Sequence, residues 1–201
     1  MRIFISVFIL IFCLQSWTKA DDIRDFEIEG ISIGDSLLDH FSKSNIDKEI
    51  RGEFALRYKN NKFIGIGVGQ TKDFPLFKKL NQFDELAIHI KPNDPNYFIH
   101  GLSGEILCFN NISKCMSSKD QIIKDLKNAF EGIKVEKWER KHPSDKTGKS
   151  FVYGNTLTSS DLDFSISVSV YDMSNDDIND VVRLSIRNKE FDKFIKVEAY
   201  E

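Results

Sequence analysis

The feature that most constrains the fold is a strictly alternating segment at residues 162–170 (LDFSISVSV). One aspartate and three serines alternate with five apolar residues, Leu162, Phe164, Ile166, Val168 and Val170. Because successive side chains of a β-strand point to opposite faces, this spacing predicts a strand with one face on a core and the other facing water or a ligand. Residues 182–187 repeat the alternation, which favours an antiparallel sheet.

The rest of the chain shows one order of elements twice, a helix followed by four short strands. A helix from Ser32 to about residue 43 precedes strands predicted at residues 53–59, 62–69, 84–91 and 97–108. A second helix, from Ser118 to Gly132, precedes strands predicted at residues 133–140, 150–157, 162–171 and 181–188, and a last helix covers residues 190–199. The pattern predicts an α+β fold, mainly antiparallel sheet with about three helices. Two arrangements remain open, a pseudo-repeat with halves at residues 21–116 and 117–201 or one long sheet backed by helices.

The first twenty residues have the pattern of a secretory signal peptide. Arg2 supplies a positive charge, residues 3–14 are uncharged, and Thr18 and Ala20 place small residues before a cut at Asp21. The apolar run of about 12 residues is shorter than the roughly 20 that a membrane-spanning helix needs. We therefore expect cleavage of residues 1–20 and an exported domain of residues 21–201, periplasmic or secreted, without a membrane span.

The charge balance argues against a nucleic-acid partner. The chain has 28 basic and 31 acidic residues, a formal net charge of −3, and loss of Arg2 and Lys19 with the signal peptide makes it −5. Dedicated nucleic-acid binders need a basic surplus to displace counterions from phosphate. The predicted partner is instead an unidentified protein or small molecule.

Two glycine-containing segments approach nucleotide-binding motifs without matching them. Gly65 to Gly69 has glycines at alternate positions, whereas a dinucleotide loop needs G-x-G-x-x-G at the start of a helix. Gly148-Lys149-Ser150 lacks the earlier glycine of a P-loop, since position 143 is proline. We therefore expect no cofactor.

Cys108 and Cys115 are the two cysteines that remain after signal cleavage. An even pair at short spacing in an oxidising compartment predicts a disulfide. Six intervening residues are too many for C-x-x-C redox chemistry, so a structural role is expected.

His89 and His100 form the candidate metal site. A turn around residues 93–96 joins their two strands, and a register that pairs Ile90 with Ile99 would set the two imidazoles opposite each other, about 5 Å apart. Such a pair could share a zinc or copper ion, with Glu85 as a distant helper. The alternative is a solvent-facing pair that only titrates, in which mutual repulsion would lower the pKa of at least one ring.

Residues 22–39 (DIRDFEIEGISIGDSLLD) and the segment 101–115 resemble small exported proteins from AT-rich marine alphaproteobacteria of the Pelagibacter type. That resemblance implies export but no assigned activity. A looser similarity is to the periplasmic BamE/SmpA type, in which a Gly-Met-Thr-type start opens a helix before a meander, and Gly34-Asp35-Ser36 stands at the corresponding place.

Two function classes follow from the sequence. The first is a non-enzymatic binding or envelope-associated module, in which the serine-bearing sheet face or a groove holds the partner. The second is a hydrolase or metal-dependent enzyme of unfamiliar type, although the chain lacks the H-E-x-x-H motif of zinc proteases. The prediction leans toward the first class.

Overall fold

The structure is a computed structural model that describes residues 26–53, 55–58, 60–69, 80–130, 132–158, 163–175 and 178–199. The first half contains α1 (Leu37–His40), α2 (Lys43–Arg51), β1 (Leu56–Arg57), β2 (Ile64–Gly69), β3 (Glu85–Ile90) and β4 (Ile99–Leu107). The second half contains α3 (Ile112–Ala129), β5 (Lys134–Lys141), β6 (Phe151–Thr158), β7 (Phe164–Asp172), β8 (Val181–Asn188) and α4 (Lys189–Val197). The predicted signal peptide and Leu162 lie outside the described residues.

All eight strands belong to one antiparallel sheet with the order β1-β2-β3-β4-β8-β7-β6-β5. Each half is a four-stranded meander, and the last strands of the two halves meet at the centre. There β4 pairs with β8 from Gly101↔Arg187 to Leu107↔Val181. The predicted α+β class with a mainly antiparallel sheet is confirmed. Of the two arrangements that the sequence left open, the structure has the single long sheet, with all eight strands in one order.

One face of the sheet carries the main core. The four described apolar residues of the alternating segment are all buried on this face, Phe164, Ile166, Val168 and Val170. α3 packs across β7 and β8, and its Leu126 belongs to the same buried cluster as these strand residues. Removal of this apolar surface from water is the dominant stabilising contribution to the fold.

The opposite face is partly covered by α4. Phe191 and Phe194 of this helix are buried in a second cluster with Tyr58 and Phe63, and the Phe63 ring lies 5.0 and 4.9 Å from the two helix rings. A Cβ built on Gly101 would come within 2.4 Å of the Phe191 ring. The absence of a side chain at residue 101 therefore lets α4 sit directly on β4.

Cys108 and Cys115 form the predicted disulfide, with sulfur atoms 2.11 Å apart. Cys108 directly follows β4, and Cys115 lies in the first turn of α3. Both residues are buried. The bond therefore fixes the start of α3 to the end of a central strand.

The first helix differs from its prediction because a different serine caps it. Ser36 is the N-cap, its hydroxyl accepting from the backbone N–H of Leu38, and the helix ends after one turn at His40. Ser42 then caps α2, which the sequence did not predict. Asp35 still accepts a hydrogen bond from the Ser32 backbone N–H, at 2.9 Å, but this bond closes a turn rather than a helix.

α3 begins six residues before its predicted start. The Asn111 side chain accepts from the backbone N–H of Lys114 and caps the helix there, so the helix includes Cys115. No helix in the described part of the chain combines the length and the apolarity needed to cross a membrane.

Candidate binding surface

Four hydroxyl side chains form a row across the face opposite the main core. Ser103 of β4 pairs with Ser185 of β8. Ser167 of β7 pairs with Ser185 on one side and with Thr156 of β6 on the other. Since neighbouring strands lie about 4.8 Å apart, the row is about 14 Å long. We call these four residues the hydroxyl row.

The members of the hydroxyl row differ in their contacts. The Ser103 and Ser185 hydroxyl oxygens lie 2.8 Å apart, and both residues are buried. Thr156 accepts a hydrogen bond from Nε1 of Trp138 at 3.0 Å. Ser167 is half-buried, and its hydroxyl makes no hydrogen bond to another described residue. Ser167 is therefore the member with donor and acceptor capacity to offer to a ligand.

Small residues continue the row beyond β4. Ala87 of β3 pairs with Ser103, and Gly67 of β2 pairs with Ala87. Neither residue has a side chain that could reach over the row. Along this line of cross-strand partners the sheet therefore carries only small side chains on six adjacent strands, from β2 to β6.

α4 forms one wall beside the row. Asp192 of this helix accepts a hydrogen bond from the Ser165 hydroxyl at 2.8 Å, and its carboxylate lies 3.7 Å from Nη1 of Arg187. Ser165 and Arg187 are themselves cross-strand partners, next to the hydroxyl row on its α4 side. The Asp192 carboxylate therefore holds the first turn of α4 against the sheet.

Arg183 forms the centre of the opposite wall. Its Nε donates to the Glu105 carboxylate at 2.6 Å, and Nη1 donates to the Tyr171 hydroxyl at 3.0 Å. The guanidinium also lies 4.5 Å from the Tyr171 ring centroid. These contacts fix the guanidinium, the carboxylate and the phenol beside the row.

Trp138 extends this wall at the edge strand β5. Its indole lies over Gly154, where an added Cβ would come within 2.1 Å of the ring, so the ring lies close against the sheet. The Arg140 guanidinium lies 5.1 Å from the indole. Trp138 and Tyr171 thus present two aromatic rings along the same side of the hydroxyl row.

The acidic end of this wall lies on β3 and β4. Glu85 pairs with Glu105, and the pKa of the Glu85 carboxyl is raised, first by burial and then by repulsion from Glu105 and Asp84. The surface beside the row thus changes from acidic at β3 to basic at Arg183. Such a surface suits a polar ligand better than a strongly charged one.

The two histidines of the predicted metal site are not directly opposed. Ile90 pairs with Ile99 as expected, but a β-bulge shifts the register so that His89 faces Gly101, and His100 occupies the extra position. The predicted register is therefore wrong by one residue at the histidines, because a bulge inserts an unpaired residue into one strand.

Neither histidine is the solvent-facing ring that the sequence suggested. The His89 ring stacks on Phe191 with centroids 4.6 Å apart, and its Nδ1 lies 3.4 Å from the Tyr58 hydroxyl. The His100 Nδ1 lies 2.8 Å from the side-chain amide of Asn188. Burial lowers the pKa of His89 to about 3, assisted by Arg187, and burial is also the main cause that lowers the pKa of His100. The lowered pKa values thus arise chiefly from desolvation rather than from mutual repulsion.

Within the described ranges, no group of three or more His, Cys, Asp or Glu residues is arranged to hold a metal ion. The metal site at His89 and His100 therefore stays a prediction from the sequence.

Sequence reasoning found the serines of β7 but missed most of the surface around them. No sequence motif contains Trp138, Arg183 and Tyr171 together, because they are brought close only by the pairing of strands that are far apart in sequence. The alternation of arginine and serine in residues 183–187 was the one signal that placed Arg183 on the serine side. Comparison of the chain with protein-family models, curated proteins and solved structures finds no match.

Proposed function

We propose that this protein is an exported, non-enzymatic binding module whose hydroxyl row holds a neutral, hydroxyl-rich ligand of the carbohydrate class. The observation that carries the proposal is the half-buried Ser167, whose hydroxyl has no partner among the described residues, beside Thr156 on the next strand. Hydroxyl groups both donate and accept hydrogen bonds, which matches the hydroxyl groups of a sugar.

The aromatic residues beside the row support a carbohydrate over a charged ligand. Trp138 and Tyr171 offer rings on which the apolar face of a sugar can pack while its hydroxyls reach the row. Two of the nearby cations are already engaged, Arg183 by Glu105 and Arg187 by Asp192. An anionic ligand would have to compete with these carboxylates, whereas a neutral ligand would not.

Export is supported by separate observations. The disulfide between Cys108 and Cys115 is stable in an oxidising compartment, and residues 1–20 have the pattern of a signal peptide. The resemblance to exported proteins of marine alphaproteobacteria points the same way. We infer a periplasmic or secreted binding protein associated with the cell envelope.

The test is a titration of the ¹⁵N-labelled protein with soluble oligosaccharides, chitotriose and maltotriose, followed by two-dimensional NMR. Shift changes are expected at Ser167, Thr156 and the Trp138 indole N–H. The variant Ser167→Val removes one hydroxyl and adds bulk at the middle of the row, and it should weaken binding by about tenfold or more.

Thr158→Val is the matched control, since Thr158 lies on the same strand as Thr156 but outside the row, at an exposed position. It should bind as the unaltered protein does. Equal binding by Ser167→Val, or shift changes confined to residues away from the row, would contradict the proposed site.

A further inference from the structure

Within the described residues, the outer edge of β5 has no partner strand. β5 is the last strand in the sheet order, and it pairs along its whole length with β6. β1, the strand at the other edge, has two residues. Among the described residues, no backbone hydrogen bond outside the β5–β6 ladder involves residues 134–141. The outward N–H and C=O groups of β5 are therefore left for water or for another strand.

The geometry of β5 suits the addition of a further strand. Its register with β6 contains no bulge, its sequence contains no proline, and six of its eight residues are exposed. Bulges and prolines are two of the devices that protect natural sheet edges. The largest side chain leans away from the edge, since the Trp138 indole lies over Gly154 of β6 and donates to Thr156. The backbone edge is therefore regular and accessible.

The sequence of β5 is complementary in charge to the same sequence read in the opposite direction. If Trp138 faces Trp138 of a second, antiparallel copy, Glu136 faces Arg140 and Lys137 faces Glu139. By symmetry each of these pairs occurs twice, so opposite charges pair on both sides of the central tryptophans. The Cβ atoms of directly opposed residues lie about 5 Å apart, which is within reach of an ion pair.

The neighbouring symmetric registers bring like charges together. A two-fold axis perpendicular to an antiparallel strand pair passes between two residues that face each other, so each symmetric register sets one residue opposite its own copy. An axis at Lys137 would also set Lys134 opposite Arg140, and an axis at Glu139 would also set Lys137 opposite Lys141. Like charges directly opposed destabilise a strand pair. Electrostatics therefore favours the register centred on the tryptophan.

The four charged side chains of this register are not engaged within the described part of the chain. None of Glu136, Lys137, Glu139 and Arg140 forms an ion pair with another described residue. Charged residues protect an edge from self-pairing when they bring like charges together. The order of signs on β5 has the opposite effect, because it makes the edge attractive to its own copy.

We propose that β5 is the interface of a homodimer, in which two copies pair antiparallel through their β5 edges about a two-fold axis at Trp138. The two eight-stranded sheets then form one continuous sheet with the short β1 at both ends. This interface is closed, because each chain has one long edge and uses it. It lies at the outer edge of β5 rather than over the hydroxyl row, so dimer formation and ligand binding can be measured separately.

The experiment is sedimentation velocity of the full exported chain from micromolar to millimolar concentration, without any ligand. We expect a concentration-dependent change from monomer to dimer. Arg140→Glu places like charges in two symmetry-related pairs, and it should weaken the dimer by about tenfold or more. The double variant Glu136→Arg with Arg140→Glu exchanges the two charges, and it should restore the dimer.

Lys141→Glu is the matched control for Arg140→Glu. It makes the same change of charge at the next residue, which faces the apolar Val135 in the proposed register, so it should dimerise as the unaltered protein does. Trp138→Cys tests the register itself. Residues that face each other have Cα atoms about 4.5 or 5.5 Å apart, which is within the range of a disulfide. Trp138→Cys should therefore form a covalent dimer under oxidising conditions, whereas Lys134→Cys should not.

Three results would overturn the proposal. The first is a chain that stays monomeric at the highest concentration. The second is a dimer that Arg140→Glu leaves unchanged, since its interface would then lie elsewhere. The third is growth beyond a dimer, since the interface would then not be closed.

Discussion

The hydroxyl oxygens of Ser103 and Ser185 lie 2.8 Å apart at the seam where β4 and β8 join the two halves of the sheet. Both residues are buried, so each hydroxyl depends on the other for its hydrogen bond. Removing one of them leaves a buried hydroxyl unsatisfied, whereas removing both leaves none.

This pairing predicts a non-additive response to alanine substitution. Ser103→Ala and Ser185→Ala should each lower the free energy of unfolding by about 1–3 kcal/mol. The double variant should lose less than the sum of the two. Urea denaturation of the three variants measures the coupling, and strictly additive losses would show that the two hydroxyls do not depend on each other.

Gly101→Ala tests the close packing of α4 against β4. The added Cβ would meet the Phe191 ring at 2.4 Å, and overpacking of a buried contact costs about 1–3 kcal/mol. We expect a lower midpoint in urea and faster amide exchange in Lys189–Val197. Adding Phe191→Leu to Gly101→Ala should recover part of the loss, because the smaller side chain makes room. If Phe191→Leu recovers no stability, the loss in Gly101→Ala does not come from contact with the Phe191 ring.

His89 predicts a specific dependence of stability on pH. The folded ring stays neutral down to a pKa of about 3, whereas the unfolded ring has a pKa of about 6.5. Between these values the unfolded state binds more protons, so stability falls as the pH is lowered. From about pH 7 to about pH 5, the unaltered protein should lose about 2 kcal/mol more than His89→Gln.

Urea denaturation of both proteins at the two pH values gives this difference directly. Any general loss of stability in His89→Gln cancels, because the comparison is made within each protein. If both proteins lose the same free energy of unfolding between the two pH values, the His89 imidazole takes up its proton in the folded state as readily as in the unfolded chain.

The disulfide gives a fourth prediction. Reduction of the bond between Cys108 and Cys115 should lower the free energy of unfolding by about 2.5 kcal/mol, the chain-entropy value for a loop of eight residues. Thermal denaturation with and without a reductant measures the change. The double variant Cys108→Ser with Cys115→Ser should melt like the reduced protein and should ignore the reductant. A reductant-sensitive double variant would show that the reductant acts elsewhere.

The strands were predictable because alternation is a local signal. The alternating segment on β7 has a buried apolar set and a polar set on opposite faces, as its spacing requires. β8 begins and ends at the predicted residues, 181 and 188. In these strands the apolar or polar character of each residue indicates the face of the sheet on which it lies. The local sequence is therefore sufficient to predict the strand.

The details that escaped prediction depend on choices among similar residues or on distant contacts. Ser32, Ser36 and Ser42 are all chemically able to cap a helix, and the backbone selects Ser36 and Ser42. The bulge beside His89 involves one residue of a hairpin and leaves no mark in the hydrophobic pattern.

The pairing of β4 with β8 has a consequence for any attempt to produce half of this chain on its own. Cutting the chain after β4 would expose the full backbone edge of one strand on each fragment, and exposed edges template pairing with further copies. A fragment of either half would therefore tend to dimerise through that edge or to aggregate. Joining the two halves in one polypeptide lets β4 and β8 satisfy each other's backbone groups within one molecule.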